Sequence, residues 1–284
     1  YNKGNHIRMR GVSMFLVRFF SSEGMDLLPD AYLFRWPHFL YLGFCILAFF
    51  LLMKLPDHRR PMVRKTIVTV SCVLLLFFKY GGEAIFVSEW IRFGSAISSF
   101  SHPFWDWRTL ISFQVCGVNN VLLPLVVWFN LKPLKDFVYP ASILGGIAVL
   151  LYPVGVLFGD PLVLTFPMVR TLVVHFLLVF LPCYLIKIDE FRLESRYWYR
   201  AGIGCVLMIA WSMYGNLFVN PSANNMYLMK NPFAGGPVPI LNLLPDGWHT
   251  IPMITLVFLG FLLVYRIAAG YERRFRPPRP SEQK

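Results

Sequence analysis

The chain has 284 residues, of which 56% are hydrophobic and only 15% charged. That composition leaves one membrane domain and excludes a separate soluble catalytic domain. The net charge of +12 invites a nucleic-acid partner, but the basic residues gather in alternate loops, which fits a bilayer and excludes nucleic acid.

Residues 1–35 precede the first long apolar stretch and carry Lys3, Arg8, Arg10, Arg18 and Arg35. Within them 12–20 reads as a short interfacial helix. It is interrupted by Arg18 and lacks a small-residue cleavage site, so it is a poor signal peptide. The chain does not open on Met, and Met9, Met14 and Met25 are candidate native starts. Seven apolar stretches follow, at 36–55, 66–86, 111–131, 137–158, 169–186, 201–219 and 251–268. A helix needs roughly 20 apolar residues to cross about 30 Å of hydrocarbon. Only helices and closed barrels satisfy their backbone there, and no period-two alternation supports a barrel. The expected fold class is all-α: a polytopic helical bundle of about seven spans within residues 36–268. Pro124, Pro140, Pro153 and Pro182 fall inside the expected spans, where each frees a carbonyl and bends its helix. Residues 269–284 form a basic, Pro-rich tail expected to be disordered.

The charge pattern orients these spans. Five Lys and Arg lie between Lys54 and Lys65, two at Lys132 and Lys135, four between Lys187 and Arg200, and six from Arg266 to Lys284. The opposite side carries Arg92, Arg108, Arg170 and Lys230. The positive-inside rule then puts the C-terminus and three loops in the cytoplasm of a multi-pass cell-membrane protein. Trp36, Trp105, Trp107, Tyr197, Trp198, Tyr199 and Trp248 cluster near span ends, as interfacial aromatics do. No internal repeat supports an inverted-repeat transporter.

The polar residues inside the spans concentrate at one depth. Cys116 lies five residues into the third expected span, roughly 8 Å deep at 1.5 Å per residue. His175 lies at about 10 Å in the fifth by the same rise. Asn119 and Asn120 follow Cys116 on the same helix face, and Thr171 stands one turn above His175. Ser212 and Asn216 are one turn apart near the outer end of the sixth span, and His249 opens the seventh. Lys79 and Glu83 form an i,i+4 pair at the outer end of the second. Intramembrane ionisable groups usually face an interior cavity, so this level is the candidate site. A Cys beside a His supplies a thiolate nucleophile and a proton relay, and Asn amides can steady an oxyanion. The structural alternative is ordinary packing for the cysteines and interhelical hydrogen bonding for the rest. Cys45, Cys72, Cys183 and Cys205 have no such company and read as packing. The five cysteines are neither spaced as a zinc site nor placed for disulfides. No GxSxG, HExxH or Walker motif occurs, so no metal and no cofactor is expected.

The stretch NPSANNMYLMKNPFAGGPVPILNLLPDGWHTIPMI at 220–254 is similar to the Asn-rich outer loop of YwaF-type bacterial membrane proteins and of transmembrane protein 164, with its core at Asn224, Asn225 and Met226. WPHFLYLGF, with His38, resembles that family's first helix. VCGVNNVLLPL resembles its cysteine helix and VRTLVVHFLLVFLPCYL its histidine helix. The family commonly has a His beside its cysteine, where this chain has Val115 and Gly117. The resemblance implies acyl transfer or lipid ester hydrolysis, with Cys116 as nucleophile, His175 as its base, and Asn224 and Asn225 closing the site from outside.

The reading is therefore a membrane protein whose catalytic pair is Cys116 and His175. Asn119, Asn120, Thr171, Asn216, Asn224, Asn225 and His249 would bind an acyl lipid substrate. Membrane lipids are the expected partners, and no protein partner is specified. The rival is a non-catalytic protein that binds a lipid or an envelope partner. A small-solute transporter would need a polar path continuing to the cytoplasmic side, and the sequence shows none. The loop 220–250 is expected to fold inward as a lid, with Asn224 or Asn225 bonded near His175.

Overall fold

The computed structural model describes residue 19 and residues 33–54, 56–81, 111–153, 166–221, 223–236 and 238–275. Among them the regular structure is entirely helical. The main helices are α1 (Trp36–Lys54), α2 (Pro61–Leu76), α3 (Val115–Trp128), α4 (Lys132–Leu151), α5 (Phe166–Lys187), α6 (Trp198–Tyr214) and α7 (Thr250–Phe275). α2 and α6 run on into π-helical turns, Phe77–Gly81 and Gly215–Val219. All but α3 are long and apolar enough to cross a membrane, so the chain is a polytopic helical membrane protein. The expected interfacial helix at 12–20 lies, residue 19 apart, outside the described residues, as do Glu83, Arg92 and Arg108.

Helix α4 is the centre of the bundle. It packs against α5 most extensively, then against α3, α6 and α7. Half or more of the spanning residues of α4 and α5 are buried, against about a fifth in α1, α2, α6 and α7. The outer helices present Phe39, Phe44, Leu47, Leu207, Phe258 and Leu263 outward, as helices with hydrocarbon for solvent do.

Two expected boundaries move. α4 begins at Lys132, five residues before the apolar stretch, and so takes Lys135 and Asp136 into the helix with almost no exposure. Both charges are met. Lys135 Nζ donates to Asn130 Oδ1 at 2.8 Å and lies over the rings of Tyr139 and Phe191. Arg200 donates to Asp136 Oδ2 at 2.9 Å, and Tyr265 donates its hydroxyl to the Asp136 carbonyl at 2.9 Å. Pro133 at the first turn costs the helix no hydrogen bond. At its other end α4 stops at Leu151, which places Pro153 outside the helix and not within a span as expected. The third span is also shorter than expected. α3 has 14 residues and begins at Val115, so Cys116 sits in its first turn rather than well inside a helix.

Polar ties fix α1 to the core at both ends. His38 accepts from the Phe34 amide through Nδ1 at 2.9 Å and donates through Nε2 to the Leu150 carbonyl at 3.2 Å. Tyr41 donates to the same carbonyl at 3.0 Å. At the far end the Met53 carbonyl accepts from His58 Nε2 at 2.8 Å and from Lys187 Nζ. These bonds use carbonyls of the last turns of α4 and α1, which a helix leaves unpaired.

Gly145 and Gly146 set how closely α4 meets its neighbours. A Cβ on Gly146 would stand 2.7 Å from the His175 carbonyl oxygen and 2.7 Å from Val179 Cγ2. Gly146→Ala should therefore lower stability by about 1–3 kcal/mol, because a helix backbone must move to admit the methyl. Gly43 has nothing within 4 Å of such a Cβ. Gly43→Ala should be neutral or raise the melting temperature slightly. Thermal unfolding of the two variants in detergent checks the pair.

Candidate functional site

The site is built where α3, α4 and α5 meet. Cys116 is the second residue of α3, which the chain enters through Ser112–Gln114. Helix α6 holds that approach in place. Trp211 donates to the Ser112 carbonyl at 2.9 Å and Ser212 to the Phe113 carbonyl at 2.5 Å. The Cys116 sulfur lies against α4, 2.9 Å from where a Cβ on Gly145 would be. The next residue, Gly146, touches the His175 carbonyl. Adjacent residues of one helix thus contact the Cys116 sulfur and the His175 backbone, which puts the two residues within about one turn of the same level.

His175 is buried, and its Nδ1 lies 2.7 Å from the Thr171 carbonyl. A carbonyl only accepts, so Nδ1 carries the proton and Nε2 of the neutral ring keeps a lone pair. No hydrogen bond joins His175 to Cys116 among the described residues.

One turn deeper than Cys116 is Asn119. It has no exposure, and neither its amide nitrogen nor its oxygen has a partner among the described residues. The same is true of Asn120 Oδ1 and of Ser142 Oγ on α4. Ser142 precedes Gly145 and Gly146 by three and four residues, so it shares the face they turn toward α3 and α5. A buried amide with both ends unpaired costs about 1–3 kcal/mol per group. Such groups commonly mark a place where a ligand or reacting atom completes the bonding.

The outer loop folds onto this end of the bundle. Gln114, the residue capping α3, accepts from the Met226 amide at 2.7 Å and donates to the Asn224 carbonyl at 3.5 Å. Asn216 and Asn225 lock together: Asn216 Oδ1 accepts from the amide and side chain of Asn225 at 2.8 Å each. His249 donates through Nε2 to the Tyr227 carbonyl at 2.7 Å. Asn224 works within the loop, accepting from the Met229 and Lys230 amides. These bonds hold Met226 and Tyr227 at φ 52° and 54°, left-handed values that cost a non-glycine residue roughly 1–3 kcal/mol. The Tyr227 phenol is partly buried and interacts electrostatically with Cys116 and Tyr152. Burial first, then those two neighbours, push its pKa up to about 12.

Of the residues singled out by sequence, Cys116, Asn119, Asn120, Thr171 and His175 lie on the two helices that face α4. Asn216, Asn225 and His249 instead hold the loop, and Asn224 braces it internally. The loop does fold inward, held by bonds to Gln114, Asn216 and His249. Gln114, Ser142, Gly145, Tyr152 and Tyr227 escaped sequence reasoning. Only the Gly145–Gly146 pair carried a usable signal, because paired glycines inside a membrane helix mark close approach.

Asn216→Ala removes three hydrogen bonds from the loop. Amide exchange over 223–230 should then rise by one to two orders of magnitude, while that of α4 stays unchanged. Equal acceleration in α4 would show that Asn216 supports the whole bundle and not the loop.

No curated protein and no solved structure matches this chain. Residues 33–265, from just before α1 to within α7, match the TMEM164 family, and the chain belongs to it.

Proposed function

We propose that this protein is a membrane enzyme that transfers or hydrolyses a lipid acyl group through a thioester on Cys116. The observation that carries the reading is the setting of Cys116. It lies in the first turn of α3, directly above the unpartnered amide of Asn119 and beneath the loop that carries Tyr227. The first amides of a helix have no intrahelical partner and stabilise negative charge.

His175 Nε2 takes the thiol proton, through one bridging water, and the sulfur attacks the carbonyl carbon of an acyl ester. The Asn119 amide and the first-turn N–H groups of α3 receive the developing oxyanion. The C–O bond breaks, and the departing alcohol takes the proton from His175. A second lipid alcohol or water then gives its proton to His175 and attacks the thioester; the C–S bond breaks, and the Cys116 sulfur takes the proton back from His175. The apolar surroundings and the pinned loop exclude water, which favours transfer to a second lipid over hydrolysis.

The competing reading is a non-catalytic protein that binds a lipid or an envelope partner. It is favoured by the missing hydrogen bond between Cys116 and His175. A lipid-like thiol electrophile separates the two. An enzyme should label at Cys116 ahead of Cys45, Cys72, Cys183 and Cys205, and His175→Ala should suppress that labelling. Cys116→Ser and His175→Ala should each cut acyl transfer by roughly 100- to 10,000-fold. Uniform labelling of all five thiols, indifferent to His175, would leave the binding protein.

The orientation follows from charge. We place the tail after Arg266 and the 56–65 loop in the cytoplasm of a cell-membrane protein, with the Cys116 end outside. We set the membrane domain at 36–268, after the N-terminal segment 1–35; the tail 269–284 is not disordered from its start as expected, because α7 carries on as helix to Phe275. A reporter fused after Lys284 should be active only in the cytoplasm. Activity on the other side reverses the assignment.

A further inference from the structure

Two clefts meet at Arg200. The first, of about 440 Å³, runs between α4 and α6 from Arg200 to Trp211. Apart from Arg200 and the indole of Trp211 its lining side chains are apolar, among them Leu134, Phe137, Ile203 and Leu207. Phe137 lies across α6 because residue 204 is glycine; a Cβ there would stand 2.2 Å from its ring. Ile203 and Leu207 are more than half exposed, so the cleft opens to the bilayer. On α3 it is lined by Val118 and Leu122, which point away from the face that carries Cys116.

The second cleft, of about 260 Å³, is at the basic end of the same helices and is polar. Its charges balance: Lys132, Arg192 and Arg200 against Asp136, Glu190 and Glu194. Arg192 is bound to Asp189, and Glu194 to Arg196. Arg200 bonds Asp136 Oδ2 and lies 3.9 Å over the Tyr197 ring. Asp136 is 1% exposed, yet its other oxygen, Oδ1, has no partner among the described residues. Trp128, Trp198 and Tyr199 are exposed around this end, at the level where such rings mark lipid headgroups.

We propose that the joined clefts hold one phospholipid with a primary-amine headgroup. A buried carboxylate oxygen without a partner calls for a donor, and an ammonium supplies one with matching charge. The amine donates to Asp136 Oδ1, with Glu190 as a second acceptor at the rim. The phosphate meets Lys132 and the outer edge of Arg200. An acyl chain lies in the apolar groove between α4 and α6. A balanced set of charges suits a zwitterion better than an anionic lipid. A choline headgroup has the same phosphate but no N–H to give. The site shares no residue with the thiol chemistry and does not depend on it.

The test compares phosphatidylethanolamine, phosphatidylcholine and phosphatidylglycerol of identical acyl chains on the full-length protein in detergent, with retention read by native mass spectrometry. The ethanolamine lipid should be held about tenfold more tightly than the other two, the worth of one charged hydrogen bond. Asp136→Asn should abolish that preference. Glu190→Gln, at an exposed rim position, should narrow it severalfold. Leu207→Trp should weaken all three lipids alike by filling the groove. Equal retention of the three lipids, or tighter glycerol binding, overturns the proposal. Should Asp136→Asn fail to fold, an unchanged preference in Glu190→Gln together with unchanged retention in Leu207→Trp overturns it equally.

Discussion

Helix α4 touches α3 and α5 through two adjacent glycines, and the rest of the bundle is arranged around that contact. Inside a bilayer, apolar burial gives little drive to bring helices together, because hydrocarbon already solvates their outer faces. Association rests on close packing and interhelical hydrogen bonds. Gly145 and Gly146 let the α4 backbone come within van der Waals reach of the Cys116 sulfur and the His175 carbonyl. The contact that holds three helices together is therefore also the contact that sets two functional candidates at one level. Stability and site geometry are not separable there.

The other end of α4 solves a different problem. Two ionised side chains enter the bundle just where the helix begins, and each is matched by named partners: Asn130 and two rings for Lys135, Arg200 for Asp136. Removing one partner strands the other charge where water reaches it poorly. The α4–α6 contact is thus held by charge at the basic end, while the α3–α4–α5 contact is held by shape. The two ends differ in what would disturb them: ionic strength and charge substitution at one, side-chain volume at the other.

The spans were legible because bilayer thickness writes itself into sequence as apolar length, and six of the seven expected stretches became full-length helices. α3 was over-read. Its apolar residues run past both ends of the helix, since Ile111–Phe113 and Phe129–Leu131 are apolar without being helical. α4 was under-read at its start, because hydropathy cannot know that Arg200, 64 positions away, will neutralise Asp136. Cys116 and His175 could be paired by depth alone, and the Gly145–Gly146 contacts keep them near one level. The loop residues could not be assigned. An Asn in a sequence does not reveal whether its amide will be buried without a partner among the described residues, as that of Asn119 is, or lock to a second Asn, as Asn216 does to Asn225. Tyr227 was invisible for another reason. Its placement depends on two consecutive left-handed residues, which no side-chain pattern announces outside glycine.

Gln114 has a mechanical consequence. It stands at the N-cap position of the helix that carries Cys116, two positions before the thiol, and its side chain grips the loop at Met226 and Asn224. The loop and the thiol therefore share a single lever. Any movement of the loop would pull on Gln114 and so on the first turn of α3, where Cys116 lies.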